Sequence, residues 1–300
     1  MVTSPFDAWL IMMSECLPGV TISSARLAQQ GWDSVTFFIN DELIVRIARR
    51  PDVAARLDRE ARLLPVIAHR LPVAVPSFTH VCRDTAGGVR LVAYGAIGGI
   101  SLSESRKRAE RDGSLTQQIA DVLTALHSVP VSEAAAAGAQ GSGASDWRDQ
   151  QSSFYEEIQQ HIFPLLHAHE QHYTRALWES YLHRDANFAF APVLIHRDLG
   201  PDHIFWEAES GRLTGVIDWG DACIGDPAID FAGLYRELSP GFSRRVLNWY
   251  GRGVDASFWS RVRFYANIVP FYAIRFGQHE RSSHHIDHGL QALREQMRAG

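Results

Sequence analysis

The chain has 300 residues and a formal net charge of −5, with 46% hydrophobic and 21% charged residues. This composition is ordinary for a soluble globular protein, and the acidic balance gives no support for a nucleic-acid partner. No apolar stretch approaches the roughly 20 residues that a membrane span needs, and the N-terminus lacks the basic and apolar regions of a signal peptide. We therefore predict a cytoplasmic protein with no membrane or nucleic-acid partner.

Cysteine usage also bears on the compartment. Cys16, Cys82 and Cys223 are odd in number, far apart in the chain and without a CxxC spacing. This pattern favours a reducing compartment and argues against a disulfide framework. We therefore expect no disulfide to support the fold.

The first part of the chain alternates strand and helix signals. Residues 34–49, "SVTFFINDELIVRIAR", have apolar runs on both sides of a polar break at Asn40, which is typical of a β-hairpin. Residues 51–70 have apolar side chains at helical spacing and begin with proline, which suits a first helical turn. Residues 89–99 indicate another strand that runs into a glycine-rich connector. These elements predict a small, strand-rich lobe over residues 1–98 with one helix in its middle.

The rest of the chain has mainly helical patterns. Residues 114–130 predict an amphipathic helix that a proline stops, 132–146 a low-complexity loop, and 151–183 further helix. The segment "APVLIHRDL" is typical of a buried strand entering a loop, and "HIFWEAESGRLTGVIDWG" is typical of a hairpin. Helical patterns follow that hairpin. We predict a second, mainly helical lobe over residues 99–300.

Polar side chains suited to phosphoryl transfer follow one another along the chain. This reaction needs a cation on the nucleotide phosphates, a carboxylate that orients the attacking hydroxyl, and ligands for Mg²⁺. Arg46 lies in the strand "LIVRIAR", and Glu60 lies in the helix that follows. Asp198 and His203 lie in the loop "HRDLGPDH", and Asp218 ends the strand in "GVIDWG". The intervening hairpin returns the chain to the same loop end, so the sequence predicts a kinase-type active site.

Three longer segments carry a resemblance to a known family. "GWDSVTFFINDELIVRIARRPDV", "HRDLGPDHIF" and "GVIDWGDACIGDPAIDFAGLY" resemble the aminoglycoside phosphotransferase family. Within it they resemble the branch that contains aminoglycoside 2''-phosphotransferases and macrolide 2'-phosphotransferases. The resemblance implies an α+β, bilobal protein-kinase-like fold with a small antiparallel-sheet N-lobe and a larger, mainly helical C-lobe. It also implies a monomer that uses GTP or ATP with Mg²⁺.

The resemblance assigns a role to each residue of the predicted active site. Asp198 would receive or orient the proton of the substrate hydroxyl, and Asp218 would bind Mg²⁺. His203 stands where kinases have a metal-binding Asn, and a neutral imidazole can still reach a metal. Arg46 stands where most kinases have Lys, and its guanidinium can contact phosphate in a bidentate manner. Glu60 is its expected partner; the alternative is that this ion pair is incidental.

The nucleotide pocket lacks a G-x-G-x-x-G loop. Gly31 and Ser34, in "QGWDS", mark the turn that would lie over the phosphates with backbone N–H groups facing them. By resemblance Tyr94 guards the back of the base pocket, and a bulky aromatic residue there is associated in this branch with GTP use. The alternative is that Tyr94 is a core aromatic on a strand. The backbone from Gly95 to Ile97 would hydrogen-bond the base edge.

Three further polar residues near the catalytic loop have structural roles by resemblance. Asp230 would accept backbone N–H bonds from the catalytic loop and hold its shape. Asp226, in "GDPAIDFA", is expected to be structural as well, and His196 to orient the loop rather than react.

The short segment after Asp218 decides between classes of kinase. A protein kinase needs a long activation segment that ends in A-P-E, whereas here Asp226 and a helical pattern follow closely and A-P-E is absent. In a protein kinase, Arg197 of "HRD" would pair with a phosphorylated activation loop. This chain has no such loop. The acceptor is therefore predicted to be a small molecule that binds in a cleft of the helical lobe.

The acceptor itself is predicted from side chains of the second lobe. Glu156, Glu157 and Glu237 would suit a polycationic aminoglycoside. Trp249 and Tyr272 would suit a macrolide equally well. We predict an antibiotic kinase acting on an aminoglycoside, with a macrolide as the alternative. A kinase of another hydroxylated metabolite stays open, and a non-catalytic pseudokinase is disfavoured because both essential aspartates are present.

Overall fold

The computed structural model describes residues 5–30, 34–141 and 143–299. Gly31, which the sequence analysis assigns to the phosphate turn, lies outside the described residues. Within the described ranges, an antiparallel five-stranded sheet with two helices is followed by a mainly helical remainder. No helix in these ranges is both long and apolar enough to cross a membrane.

The N-terminal elements form one sheet with a helix inserted between its third and fourth strands. In chain order they are α1 (Pro5–Cys16), β1 (Ala25–Gln30), β2 (Ser34–Ile39), β3 (Leu43–Ala48), α2 (Pro51–Ala68), β4 (Phe78–Arg83) and β5 (Val89–Gly95). The strands are antiparallel in the order β1-β2-β3-β5-β4, so β3 is central. Arg46 therefore lies between Thr36 on β2 and Val92 on β5.

The hairpin of β2 and β3 has the predicted turn. Asn40 and Asp41 have positive φ values of 54° and 57°, the left-handed conformation that favours Asn and Asp in two-residue hairpin turns. Along β2, buried Val35, Phe37 and Ile39 alternate with less buried residues, because successive side chains of a strand point to opposite faces.

Helix α2 turns one face towards β3 and β5. Pro51 begins this helix, as predicted, because proline lacks the N–H that would have no helical partner there. Val53, Leu57 and Leu64 are buried on the same face as Glu60. Helical spacing thus places a carboxylate against the strand that carries Arg46.

Cys16 and Cys82 form a disulfide that joins the end of α1 to strand β4. The prediction that the cysteines form no disulfide is therefore wrong for this pair, and cysteine usage no longer favours a reducing compartment. Cys223 is free and buried. The two positions are 66 residues apart in the sequence. Only the packing of α1 beside the edge strand β4 brings them together, and residue spacing carries no sign of that packing.

The remaining elements build a helical body around two small sheets. In chain order they are β6 (Ile100–Ser101), α3 (Arg106–Arg111), α4 (Gly113–His127), α5 (Val131–Ala136), α6 (Ala144–Glu157), α7 (Ala168–Leu182), β7 (Val193–Ile195), β8 (Ile204–Glu207), β9 (Arg212–Val216), β10 (Cys223–Gly225), α8 (Pro240–Trp249), α9 (Phe258–His279) and α10 (Ser283–Ala299). Short 3-10 or π turns cover Leu102–Ser105, Ile158–Ile162, Phe163–Leu165, Asp185–Phe188, Pro227–Phe231 and Leu234–Leu238. The predicted lobe boundary at 98/99 stays a prediction; it falls between β5 and β6.

The predicted low-complexity loop at 132–146 is partly helical. Helix α5 occupies its first residues and α6 begins at Ala144. Ala134 and Ala139 are buried in the main core. The alanines that made the segment look featureless are small enough to pack closely, and alanine is the best helix former.

The C-terminal elements position the catalytic loop from both sides. Strand β7 pairs with β10, and the β8–β9 hairpin pairs with β6. The loop at 196–203 leaves β7 and enters β8, while the chain at 217–222 leaves β9 and enters β10. Both loops therefore lie at the same end of the small sheets, as the hairpin pattern predicted.

Candidate active site

A buried carboxylate holds the start of the catalytic loop. Asp230 accepts hydrogen bonds from the backbone N–H groups of His196 at 2.8 Å and Arg197 at 2.7 Å. It also contacts His127 Nε2 at 3.1 Å, and His127 Nδ1 lies 2.7 Å from the hydroxyl of Tyr250. Arg197 has a φ of 73°, so these bonds hold a left-handed residue directly before Asp198.

His196 and Asp226 are both fully buried and face away from open space. His196 Nε2 lies 2.9 Å from the carbonyl oxygen of Ile217, so this nitrogen carries the proton and donates it. Burial lowers the pKa of His196. Asp226 accepts from Arg261 Nε at 2.6 Å and from the hydroxyl of Tyr265 at 2.7 Å. His196 thus ties the catalytic loop to the end of β9, whereas Asp226 joins the chain after β10 to α9 through Arg261 and Tyr265. Their structural roles stay predictions.

Arg46, Glu60 and Asp218 form an ion-pair cluster. Arg46 Nη1 donates to both oxygens of Glu60 at 3.0 Å, and its Nη2 donates to Asp218 Oδ1 at 3.0 Å. Glu60 also accepts from the backbone N–H of Trp219 at 3.3 Å. Burial disfavours the charged guanidinium, but the neighbouring carboxylates outweigh it and raise the pKa of Arg46. Burial also opposes ionisation of Asp218, yet Arg46 and two nearby histidines lower the pKa of its carboxyl.

Asp198 and His203 lie opposite this cluster. His203 Nδ1 is 2.7 Å from the carbonyl oxygen of Asp198, so Nδ1 donates and Nε2 is left to face Asp218 Oδ2 at 3.8 Å. The side chain of Asp198 is 66% exposed within its recess. Desolvation by the surrounding protein and nearby carboxylates outweigh the attraction of His203 and raise the pKa of Asp198 to about 6.

These residues open onto a cavity of about 400 Å³ between the sheet and the helical body. Six of the predicted site residues line it: Ser34, Arg46, Tyr94, Asp198, His203 and Asp218. Tyr94 is only 5% exposed and packs against Phe78, so it is both a core aromatic and a cavity wall. Gly95 and Ile97 follow at the exit of β5; Gly95 pairs with Leu43, and Ile97 packs on Gly215. We call this space the nucleotide-side cavity.

A second cavity of about 490 Å³ adjoins the first and lies within the helical body. Asp198 and Asp221 line both cavities. Glu237 and Tyr272 line the second cavity, together with an apolar wall that includes Ile229, Ile268 and Val269. Desolvation and nearby carboxylates raise the pKa of Glu237. We call this space the acceptor-side cavity.

Comparisons with known proteins place this geometry in a family. Residues 24–265 match the model of the phosphotransferase enzyme family. The chain belongs to this family. The viomycin phosphotransferase of Streptomyces vinaceus is 25% identical over 90% of this chain and 93% of that protein.

Solved structures show the same fold. The GDP and kanamycin complex of APH(2'')-IIIa matches 98% of this chain and 99% of its own, with a TM-score of 0.91 and 24% identity. Macrolide 2'-phosphotransferase type I matches 97% of this chain and 98% of its own, with a TM-score of 0.77 and 22% identity. These matches confirm the predicted kinase-like fold, and the family confirms the predicted class of enzyme, a phosphotransferase.

Three of the predicted substrate residues lie elsewhere in this phosphotransferase. Glu156 is exposed on α6, and Glu157 pairs with Arg275 at 3.0 Å. Trp249 is 55% exposed at the end of α8. None of the three lines the acceptor-side cavity. The composition of these segments suggested that they lie near the cleft. Which side chains of a helix point into the cleft is decided by tertiary packing, which composition does not reveal.

Two charged residues that line the nucleotide-side cavity were not predicted from the sequence. Arg56 and Asp221 line the nucleotide-side cavity, and Arg56 Nη1 lies 3.2 Å from Asp221 Oδ1. A signal was present for each. Arg56 precedes Glu60 by one helical turn and so shares its face, and Asp221 follows Asp218 within the same short loop.

The side chains around Asp218 fit a magnesium site of the kind that nucleotides complete. In the described part of the chain, no three His, Cys, Asp or Glu side chains form a preassembled metal cluster. Mg²⁺ at nucleotide sites is usually held by one or two carboxylates together with substrate phosphates. Asp218 Oδ2 and His203 Nε2 fit this pattern, with the carboxylate the better ligand because Mg²⁺ prefers oxygen to nitrogen.

Proposed function

We propose that this phosphotransferase moves the terminal phosphoryl group of GTP or ATP to a hydroxyl of an aminoglycoside. The observation that carries the proposal is the position of Asp198, whose carboxylate lines the nucleotide-side and the acceptor-side cavities at once. A carboxylate at this position can contact an acceptor hydroxyl that enters from the acceptor-side cavity while that hydroxyl faces a phosphate in the nucleotide-side cavity. We also propose that the enzyme is a cytoplasmic monomer.

The transfer step requires a single proton acceptor on the protein. The hydroxyl oxygen forms a bond to the terminal phosphorus, and the bond from that phosphorus to the bridging oxygen breaks. The electron pair of the broken bond leaves with the nucleoside diphosphate, and the hydroxyl proton passes to the carboxylate of Asp198. With a pKa of about 6, Asp198 is mostly ionised at neutral pH and can accept that proton.

The nucleotide-side residues would hold the triphosphate in line with Asp198. Arg46, fixed by Glu60 and Asp218, presents a permanent positive charge to the phosphates. Asp218 and His203 would hold Mg²⁺, which when bound neutralises charge on the phosphate oxygens. Ser34 would lie beside the phosphates, and the backbone from Gly95 to Ile97 would bind the base edge.

A preference for GTP rests on Tyr94. Its side chain occupies the wall of the nucleotide-side cavity at the end of β5, where a smaller residue would leave more room for a base. One solved relative with the same fold contains GDP, and another contains ATP. Tyr94 and the GDP complex support GTP as a donor, and the ATP complex makes ATP the second nucleotide to test.

The choice of an aminoglycoside rests on the charges around the acceptor-side cavity. Asp198, Asp221 and Glu237 bring three carboxylates to it, against the two guanidinium groups of Arg197 and Arg236. This acidic balance suits an acceptor that carries ammonium groups beside its hydroxyls. One structural relative with the same fold holds kanamycin, and a relative by sequence is a viomycin phosphotransferase.

The apolar wall of the same cavity favours a second candidate. Ile268, Val269 and Tyr272 lie along α9, and the Tyr272 ring stacks on Phe154 with centroids 4.7 Å apart. A macrolide with an amine near its hydroxyl could place an apolar body on this wall and its cation near Glu237. Macrolide 2'-phosphorylation is therefore the alternative function.

A substrate panel tests the proposal. Purified protein with Mg²⁺ and GTP or ATP is offered kanamycin, viomycin, a macrolide, glucose or choline, and nucleoside diphosphate release is measured. We expect kanamycin to stimulate release most strongly, and mass spectrometry to find one added phosphoryl group on it. Stimulation by the macrolide alone would favour macrolide 2'-phosphorylation over aminoglycoside phosphorylation. Stimulation by glucose or choline alone would overturn the proposal of an antibiotic kinase.

A further inference from the structure

The nucleotide-side cavity contains a second arginine whose partners differ from those of Arg46. Arg56 Nη1 is 3.2 Å from Asp221 Oδ1, and Arg56 Nη2 is 3.1 Å from Asp52 Oδ2. The side chains of Asp221 and Asp52 are 46% and 57% exposed, whereas that of Glu60, the partner of Arg46, is fully buried. Two of the groups that hold Arg56 are thus carboxylates that water also reaches.

Arg56 bridges the two lobes at the place where the cavities meet. It lies on α2, one turn before Glu60, and α2 also contacts the loop after β9 through Glu60 and the backbone N–H of Trp219. Asp221 lines both cavities, and so does Asp198. The guanidinium of Arg56 therefore lies next to the junction at which a phosphoryl group must pass from one cavity to the other.

The energetics favour an exchange of partners when a triphosphate binds. A partly exposed ion pair contributes little to the stability of the empty protein. A phosphate oxygen carries more charge than a single carboxylate oxygen and accepts bidentate bonds from a guanidinium. Arg46 donates to the fully buried Glu60, whereas Asp52 and Asp221 are partly exposed, so their contacts with Arg56 are easier to break.

We propose that Arg56 leaves Asp221 and binds the terminal phosphate of the nucleotide, so that it is a second catalytic cation of this enzyme. The inference rests on the proposed function, since it requires a triphosphate in the nucleotide-side cavity. During transfer the bond to the bridging oxygen breaks and the bond to the acceptor oxygen forms, while negative charge stays on the other oxygens of the phosphoryl group. Arg56 contacts those oxygens and stabilises them.

Calorimetry with two nucleotides separates this contact from general charge attraction. Wild type, Arg56→Gln and Arg59→Gln are titrated with GDP and with a non-hydrolysable GTP analogue, and in parallel with the adenine pair. Arg59→Gln is the matched control because it removes the same charge. Arg59 lies on the same helix but does not line the cavity. We expect Arg56→Gln to weaken binding of the triphosphate analogue roughly tenfold or more and to change diphosphate binding little. Arg59→Gln should change neither.

Asp221→Asn provides the opposite test. If Asp221 competes with the terminal phosphate for Arg56, its neutral variant should bind the triphosphate analogue at least as tightly as wild type while kcat/KM for the acceptor falls. Equal loss of diphosphate and triphosphate affinity in Arg56→Gln would overturn the proposal, as would an unchanged triphosphate affinity. Either result for Arg56→Gln leaves the proposed function intact as long as the wild-type protein binds and turns over nucleotide. A wild-type protein that binds no nucleotide would overturn both the proposed function and the role of Arg56.

Discussion

The two cavities that meet at Asp198 are built in different ways. In the nucleotide-side cavity Arg46 and His203 are fixed by short contacts: Arg46 donates to Glu60 and Asp218, and His203 donates to the backbone of Asp198. The acceptor-side cavity has a long apolar wall, and the carboxylate that it does not share with the first cavity, Glu237, meets Arg106 only at 3.8 Å. A rigid donor site beside a looser acceptor site is the arrangement expected of an enzyme that keeps one chemistry and varies its acceptor.

The largest effect is expected when the central cation of the nucleotide-side cavity, Arg46, is removed. Arg46→Ala leaves buried Glu60 without its cation, which we expect to cost about 3–5 kcal/mol of unfolding free energy and to lower kcat/KM by roughly 10²–10³. Arg46→Lys keeps the charge and should recover part of both. Urea unfolding and steady-state kinetics measure the two effects. A fully active, equally stable Arg46→Ala variant would show that the cluster is incidental.

The pH dependence of kcat/KM should follow the ionisation of Asp198, which lies where the two cavities meet. Because the pKa of Asp198 is raised to about 6, its carboxylate is available as a proton acceptor above that pH and is lost as the pH falls through it. We expect kcat/KM to fall about tenfold per pH unit on the acidic side. Asp221→Asn removes a negative neighbour that raises the pKa of Asp198, so it should move this limb to lower pH. A profile that stays flat through this range in both proteins would contradict the role of Asp198.

The acceptor-side cavity should respond to a single carboxylate. Glu237→Gln keeps the shape of the side chain but removes its charge, so KM for kanamycin should rise roughly tenfold with kcat nearly unchanged. Glu157→Gln is the control, since Glu157 pairs with Arg275 outside the cavity. If the control variant loses as much as Glu237→Gln, the charge of the whole surface, not this cavity, attracts the substrate.

The smallest expected effect concerns the choice of nucleotide. Tyr94→Leu shortens the side chain at the wall of the nucleotide-side cavity and should move the ratio of kcat/KM for GTP over ATP towards ATP by several-fold, about 1 kcal/mol. Competition between the two nucleotides in one assay measures this ratio. An unchanged ratio would leave Tyr94 as a core aromatic that does not select the base.

The contrast between the cavities also explains what could be predicted from sequence. Arg46, Asp198, His203 and Asp218 lie in short loops and on paired strands, where a hairpin and a helix fix their relative positions, so motif spacing was enough to bring them together. Glu156 and Trp249 were predicted from composition alone, and the orientation of their helices took them elsewhere.

Contacts between distant parts of the chain were the least predictable. The disulfide of Cys16 with Cys82 and the hydrogen bond between His127 and Asp230 join positions that share no local pattern. Their partners are decided by tertiary packing, which sequence periodicity does not report. By contrast, the support of the catalytic loop by Asp230 followed from the family resemblance, and the geometry agrees with it.

Single-turnover phosphorylation by wild type and Asp198→Asn tests the central claim most directly. Each protein, in excess over kanamycin, is mixed with saturating GTP and Mg²⁺, and the phosphate ester is followed by ³¹P NMR while GDP affinity is measured separately. We predict that Asp198→Asn forms the ester about 10²–10⁴ times more slowly and binds GDP as wild type does. An Asp198→Asn protein that forms the ester at the wild-type rate would contradict the assignment of Asp198 as the proton acceptor at the junction of the two cavities.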